Sequence, residues 1–118
     1  MLCIGRNYHA HIAELNNTAP SEPLWFDKPM SSLRLSGSTL SFSSETHHEV
    51  ELGLVIGKRG KDIKPENALK HIAGYFVGID LTNRAAQTTM KNAGADWCIA
   101  KGPDGFAIIS DFVHKSAV

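Results

Sequence analysis

The segment HHEVELGLVIGK, residues 47–58, constrains the fold more than any other part of the chain. From Glu49 to Lys58 it is rich in aliphatic residues, several of them β-branched, and it has no proline, which predicts a β-strand. Because side chains alternate along a strand, Glu49 and Glu51 share one face. The opposite face carries the aliphatic residues Val50, Leu52, Leu54 and Ile56. We expect that aliphatic face to belong to the hydrophobic core.

The two carboxylates on the other face predict either a metal site or a solvated surface. Glu49 and Glu51 are about 6–7 Å apart at their Cα atoms, since each strand residue rises about 3.3 Å. Two like charges held this close repel each other unless a positive charge lies between them. Mg²⁺ and Ca²⁺ favour carboxylate oxygen, whereas a half-exposed strand leaves such residues in water. Asp80, which closes another apolar strand, is either a third ligand or a cap for the next helix.

The remaining segments mix strands and helices without a regular alternation, which predicts an α+β fold. The predicted strands are Met1–Gly5, Leu24–Phe26, Ala73–Leu81, Cys98–Ala100 and Phe106–Phe112. The predicted helices are Tyr8–Leu15, Pro65–His71 and Arg84–Asn92. Thr82 or Asn83 can cap the last of these and Gly94 can end it. The segment from Ser31 to Ser44 is a loop or a pair of weak strands.

Composition places the chain among ordinary globular proteins. It has 118 residues, enough for one domain, with 42% apolar and 20% charged residues. Twelve basic residues balance twelve acidic ones, so no nucleic acid or anionic membrane is indicated as a partner. No apolar run approaches the roughly 18 residues of a membrane span, and the start lacks a signal or transit pattern. Cys3 and Cys98 are expected to be buried thiols, which favours the cytoplasm and leaves the mitochondrion open.

His11 and Glu14 are three residues apart on the first predicted helix and therefore lie on one face. A glutamate that binds one ring nitrogen of a histidine fixes the tautomer and makes the other nitrogen a better base. The pair is either such a catalytic dyad or a surface ion pair.

Other polar residues follow apolar segments. Lys101 follows a predicted buried strand and is either a snorkelling cation or an active-site charge. Gln87 and Arg84 are three apart on one helix and could both be solvated. Arg6 follows the first strand at Gly5. The adjacent His47 and His48 would point to opposite faces of a strand, so they cannot both bind one ion.

Five segments in this order resemble the fumarylacetoacetate hydrolase superfamily, especially its small acylpyruvase-like members. They are GRNYHAHIAEL (5–15), SEPLWFDKP (21–29), HHEVELGLVIGK (47–58), GYFVGIDLTNRAAQ (74–87) and WCIAKG (97–102). The resemblance implies a mixed β-roll. The family's domain continues past the position of Val118, so residues 1–118 are expected to form a single, incomplete catalytic domain.

The resemblance also implies a site. A divalent metal, Mg²⁺ or Mn²⁺ with Ca²⁺ as a further option, would be held by three ligands, Glu49, Glu51 and Asp80. His11 and Glu14 would form the catalytic dyad, and Gln87 and Lys101 would lie near the metal. Arg6 is our own candidate for binding the substrate carboxylate.

The implied activity is metal-dependent hydrolysis of a C–C bond in acylpyruvate-like β-diketo acids, with oxaloacetate decarboxylation or tautomerisation as related reactions. A small 2-oxo acid is the expected partner, and a homodimer the expected assembly. The alternative is a truncated, non-catalytic member of the family that binds metal or a partner chain.

Overall fold

The computed structural model describes residues 1–8, 12, 20–42 and 45–118 of the chain. Most of the helix predicted over Tyr8–Leu15 lies outside these residues, and so do both members of the predicted dyad, His11 and Glu14.

The described residues form two β-sheets. The first pairs β1 (Leu2–Gly5) with β2 (Leu24–Asp27) in antiparallel fashion. The second has the order β3 (Leu33–Leu35), β6 (Ala107–Ile109), β5 (Ile72–Asn83) and β4 (Thr46–Ile56), with β7 (Val113–His114) also paired to β5. Strands β3 and β6 are parallel, and the other pairs are antiparallel. The predicted α+β class is therefore confirmed.

Helical segments connect these strands. In the described part of the chain they include the α-helices α1 (Arg84–Ala93) and α2 (Cys98–Lys101) and the 3₁₀ segments Met30–Ser32, Pro65–His71 and Lys115–Ala117. Helix α1 matches its prediction: the Asn83 side chain accepts a hydrogen bond from the Ala86 amide, and Gly94 ends the helix at a φ of 65°. The positive φ favours glycine, which has no Cβ to clash. The helix predicted over Pro65–His71 has the expected bounds but the tighter 3₁₀ geometry.

The strand predicted over Cys98–Ala100 is wrong, because these residues begin helix α2. The Asp96 carboxylate accepts a hydrogen bond from the Cys98 amide at 2.8 Å, which starts a helical turn.

The expectation of two buried thiols is also wrong: both cysteines are free, but Cys3 is half-buried and Cys98 is exposed. In the segment predicted as a strand over Phe106–Phe112, only Ala107–Ile109 is a strand.

The two faces of β4 have the reverse of the expected burial. The aliphatic side chains are exposed, by 58% at Val50, 69% at Leu52, 49% at Leu54 and 65% at Ile56. The carboxylate face, with Glu49 and Glu51, is half-buried. The physical reason lies in what packs on each side, since α2 brings the Lys101 side chain onto the carboxylate face.

The interior of the described chain contains nearly as many polar as apolar residues. The buried apolar residues are Ile12, Ile72, Leu81, Ala100, Phe106 and Ala107, and the buried polar ones are Lys28, Ser32, Asp80, Thr82 and Lys101. Lysine and aspartate are rarely this buried unless they are paired. Across the described ranges, no helix is long and apolar enough to cross a membrane.

Candidate active site

Two carboxylates face each other across the longest strand pair of the fold. Strands β4 and β5 pair in antiparallel register, which places Glu49 opposite Asp80 and Glu51 opposite Gly78. Side chains directly opposite each other in a sheet project from the same face. Glu49, Glu51 and Asp80 therefore all project from the carboxylate face, as the spacing of the two glutamates predicted for β4.

The Lys101 ammonium lies between the Glu49 and Asp80 carboxylates. Its Nζ atom is 2.8 Å from Glu49 Oε2, 2.5 Å from Asp80 Oδ2 and 2.6 Å from the Thr82 hydroxyl oxygen. An ammonium has three N–H donors, so these three acceptors satisfy it. The side chain is 2% exposed, and its Nζ also lies 5.0 Å from the Phe26 ring centroid. Lys101 is therefore not a snorkelling cation, and it ends a helix rather than a strand. Its role as an active-site charge stays a prediction.

Helix α1 adds a guanidinium to the same face. Arg84, its first residue, forms an ion pair through Nη2 with Glu49 Oε1. Its Nη1 donates to Gln87 Oε1 at 2.6 Å, and its Nε donates to His47 Nδ1 at 3.2 Å. Arg84 thus links Gln87 and His47 to the Glu49 carboxylate.

The electrostatics of Glu49 follow from these contacts. Burial by itself raises the pKa of the Glu49 carboxyl. The hydrogen bond and charge of Lys101, followed by those of Arg84, outweigh burial and hold the pKa below its usual value. Glu49 is therefore ionised at neutral pH.

A second buried lysine, Lys28, reaches the opposite side of the Asp80 carboxylate. Its Nζ is 2.7 Å from Asp80 Oδ1 and also contacts three backbone carbonyl oxygens, those of Leu81, Lys101 and Phe106. Burial lowers the pKa of Lys28, and the charge of Asp80 opposes that effect. Four oxygens compete for three N–H donors. The ammonium therefore shares its donors among the three carbonyl oxygens and Asp80 Oδ1, with which it also forms an ion pair.

A cleft of about 720 Å³ is lined by Glu49, Glu51, Asp80, Arg84, Gln87 and Lys101 and also contains Arg6 and Tyr8. Arg6 has a φ of 52°, an uncommon conformation for a residue other than glycine. Residues held in such conformations cluster at functional sites. A separate cleft of about 690 Å³, beside Trp25 and Trp97, contains none of the candidate site residues.

The fit of this site to a divalent metal depends on its oxygen donors. Among the described residues, no three His, Cys, Asp or Glu side chains are gathered closely enough to form a ready-made metal cage. The donor chemistry nevertheless suits a hard cation, because the carboxylates of Glu49, Glu51 and Asp80 project from the same face. The position between Glu49 and Asp80 is taken by the Lys101 ammonium in this structure.

The structure brings together most of the candidate residues. Glu49, Asp80 and Lys101 are in direct contact, Gln87 joins them through Arg84, and Glu51 and Arg6 line the same cleft. Sequence analysis assigned no role in the site to three residues that contact this group: Lys28, Thr82 and Arg84. Arg84 could have been found from its place at the start of a helix that follows the Asp80 strand. For Lys28, between Asp27 and Pro29, the sequence carries no such signal.

Comparison with known proteins agrees with the resemblance. The chain is 43% identical, over 122 residues, to oxaloacetate decarboxylase, mitochondrial, of Dictyostelium discoideum, covering 100% of this chain and 56% of the relative. It is also 43% identical, over 121 residues, to oxaloacetate tautomerase FAHD1, mitochondrial, of Arabidopsis thaliana, covering 100% and 54%. The chain thus spans about half the length of the curated relatives it matches.

Solved structures share the fold. Fumarylpyruvate hydrolase from Pseudomonas aeruginosa, in complex with Mn²⁺ and pyruvate, matches with a TM-score of 0.87 and 39% identity, covering 98% of this chain and 53% of that one. The family model described as "Fumarylacetoacetate (FAA) hydrolase C-terminal" matches residues 1–118. The chain belongs to the fumarylacetoacetate hydrolase family.

Proposed function

We propose that this chain carries the site of a divalent-metal-dependent enzyme that acts on small 2-oxo acids. The reaction we assign to it is hydrolysis of a C–C bond in acylpyruvate-like β-diketo acids, with oxaloacetate decarboxylation or tautomerisation as related activities. One observation carries this proposal: Glu49 and Asp80 face each other across β4 and β5 and share the buried Lys101 ammonium. The names of the relatives support the substrate class, since they include oxaloacetate and fumarylpyruvate enzymes.

In this proposal Glu49, Glu51 and Asp80 hold Mg²⁺ or Mn²⁺. Support comes from their common face, from the oxygen chemistry of the donors and from the Mn²⁺ in the similar fumarylpyruvate hydrolase structure. When bound, such an ion acts as a Lewis acid on the oxygens of a 1,3-dicarbonyl and stabilises the enolate charge that develops there.

The chain's own residues bind the substrate and handle protons. Arg6, held at the wall of the cleft, pairs with the substrate carboxylate. Lys101 donates a hydrogen bond to an oxygen that gains charge, an effect of about 3–4 kcal/mol per donor in such sites. Arg84 fixes the Gln87 amide oxygen, so that the Gln87 NH₂ group can orient the substrate.

The proton acceptor in this proposal is His11, oriented by Glu14. His11 takes a proton from water as the water oxygen bonds to the distal carbonyl carbon. The C–C bond then breaks, its electron pair forms the pyruvate enolate, and protonation gives pyruvate and a carboxylic acid. These two assignments stay predictions, because both residues lie outside the described part of the chain.

A non-catalytic family member is the second candidate, and one observation favours it. Lys101 pairs with both Glu49 and Asp80, and Lys28 and Arg84 add one further positive charge to each, so the chain itself compensates these two carboxylates. Metal binding and turnover separate the two candidates.

Two measurements on the purified full chain test the proposal. We expect millimolar Mg²⁺ or Mn²⁺ to raise the melting temperature, because a ligand that binds only the folded state stabilises it by mass action. We also expect pyruvate release from acylpyruvates, or loss of oxaloacetate above the background rate. Glu51→Ala should abolish both effects, and the matched control Glu22→Ala, at an exposed position, should retain them. Metal stabilisation without turnover would favour the non-catalytic binding protein. The absence of both stabilisation and turnover would reject the proposed site.

Two further predictions attach to this function. The homodimer predicted from the resemblance is proposed here as the working assembly. For location, the sequence favours the cytoplasm with the mitochondrion open, and the relatives named above are mitochondrial by name. Fractionation of cells that express the gene under its own promoter decides between the compartments.

A further inference from the structure

We propose that Lys28 is a positioning residue for this site, because its single ammonium group holds both the Asp80 side chain and the Lys101 backbone. The inference deepens the proposed function and rests on it where metal binding is concerned. Lys28 does not line the cleft, so its effect passes through the two residues it holds.

The Lys28 backbone is itself fixed. The residue directly follows β2, and its amide donates to the Met1 carbonyl oxygen at 2.9 Å. In return, the Met1 amino group donates to the Lys28 carbonyl oxygen at 2.5 Å. This pair of bonds continues the β1–β2 ladder by one residue, so the side chain extends from a rigid base.

The ammonium joins three segments that are distant in sequence. Its Nζ donates to the carbonyl oxygens of Leu81 at 3.1 Å, Lys101 at 2.5 Å and Phe106 at 2.8 Å. Leu81 follows Asp80 in β5, Lys101 ends α2, and Phe106 precedes β6. The Lys28 ammonium therefore fixes β5, which carries Asp80, and α2, which carries Lys101, to one point. This point is buried, since Lys28 is 2% exposed.

The same ammonium sets the orientation of the Asp80 carboxylate. Asp80 Oδ1 lies 2.7 Å from Lys28 Nζ, and Asp80 Oδ2 lies 2.5 Å from Lys101 Nζ. With one cation on each oxygen, the carboxylate plane is held from both sides.

A residue that serves only stability would affect the unfolding free energy and leave the geometry of the folded site unchanged. A positioning residue also changes the geometry and ligand affinity of the fully folded protein. Groups that orient metal ligands typically change metal affinity 10- to 100-fold when they are removed.

The test compares Lys28→Met and Lys28→Gln with the wild type and with the control Lys70→Met, whose lysine is exposed and bonded only to Asn67 in the described chain. Methionine keeps an apolar stem without the charge. Glutamine keeps donors for the carbonyls but cannot form the ion pair with Asp80. Backbone amide NMR spectra establish that each variant is folded at the temperature used.

The first readout needs no metal: it is the side-chain ammonium resonance of Lys101, which is buried and hydrogen-bonded in the wild type. We expect it to shift or to be lost to solvent exchange in both Lys28 variants and to stay in place in Lys70→Met. An unchanged resonance in a folded Lys28 variant would overturn the inference. If neither Lys28 variant folds, the role is structural and the inference is rejected.

The second readout is Mn²⁺ affinity by calorimetry. We expect a 10- to 100-fold loss in the Lys28 variants and no change in Lys70→Met. Equal affinity in folded Lys28→Met would contradict the inference. If the wild type binds no Mn²⁺, the proposed function fails by itself, and the Lys101 resonance alone decides the role of Lys28.

Discussion

Lys101 supplies a positive charge between the carboxylates of Glu49 and Asp80. Sequence analysis found both Glu49 and Asp80 as candidate ligands, because acids at these positions interrupt apolar strands. It left Lys101 open between two interpretations, because a lysine after a short apolar segment is equally common at a surface. Only the folded chain shows that the ammonium is 2% exposed and has three polar acceptors.

Removing this charge should destabilise the chain strongly. Lys101→Met leaves Glu49 and Asp80 without their shared cation, and breaking a buried ion pair from one side costs about 3–5 kcal/mol. Urea unfolding in buffer with a chelator measures the loss. The exposed Lys115→Met serves as the control and should change the unfolding free energy by less than about 0.5 kcal/mol. If Lys101→Met lowers the unfolding free energy as little as the control Lys115→Met does, the pairing of Lys101 with Glu49 and Asp80 does not stabilise the fold.

The lowered pKa of Glu49 predicts a specific acid sensitivity. Its pKa is below the ordinary value of 4.5, so the folded state binds fewer protons than the unfolded chain in that range. The stability from this group is therefore present above about pH 4.5 and is lost as pH falls through the lower folded value.

Urea unfolding midpoints measured from pH 7 to pH 3, in buffer with a chelator, test whether stability falls with pH in this way. Wild type should lose more stability over the acidic part of this range than Glu49→Gln, which cannot titrate there. The control Glu22→Gln, at an exposed position, should follow the wild-type curve. Parallel curves for wild type and Glu49→Gln would contradict the lowered pKa.

At the scale of elements, strong local signals were predictive and short segments were not. Strands β4 and β5 and helix α1 were found because each combines a clear pattern with end signals. The first three residues of α2, Cys98–Ala100, were predicted as a strand, since a short apolar run does not distinguish helix from strand. The side chain of Asp96, which accepts the Cys98 amide, is the signal that could have corrected this.

Helix α1 depends on its cap. Asn83→Ala removes the acceptor for the Ala86 amide and should cost about 1 kcal/mol of unfolding free energy. Asn92→Ala, an exposed position in the same helix, is the matched control and should be neutral or slightly stabilising. Thermal or urea unfolding compares the two, and equal effects would mean that the cap bond does not stabilise the helix.

A second prediction for the strands compares a leucine on the exposed aliphatic face of β4 with a buried leucine of β5. Leu81 is 3% exposed and Leu52 is 69% exposed. Leu81→Ala should therefore cost about 2–5 kcal/mol, whereas Leu52→Ala should cost less than about 1 kcal/mol. Unfolding at low protein concentration measures both, and a large cost at Leu52 would show that its face is covered in solution.

At the scale of the whole molecule, sequence distance hides the contacts that organise the site. Lys28 bonds to Phe106 across 78 positions, and Lys101 reaches Glu49 across 52. No local pattern encodes such pairs, which is why candidate site residues that periodicity alone left open were proposed from the family resemblance. The same sequence separation explains why a role for Lys28, which neither periodicity nor the family resemblance proposed, is visible only in the folded structure.

The predicted dimer belongs to this scale as well. Exposed apolar patches on folded proteins commonly mark contact surfaces, and the face with Val50, Leu52, Leu54 and Ile56 is one. If two copies meet there, Leu52→Lys should convert a dimer to a monomer in sedimentation measurements. A dimer that survives this change would place the contact elsewhere.

The central claim is that Glu49, Glu51 and Asp80 together hold one divalent ion. Anomalous X-ray scattering from crystals of the chain grown with Mn²⁺ tests it most directly. We expect a single Mn²⁺ peak within about 2.1 Å of carboxylate oxygens of all three residues, the distance typical of a tightly bound small divalent ion. We also expect the Lys101 ammonium to be displaced from between Glu49 and Asp80. A Mn²⁺ peak away from these residues, or none at millimolar Mn²⁺ with Lys101 unmoved, would contradict it.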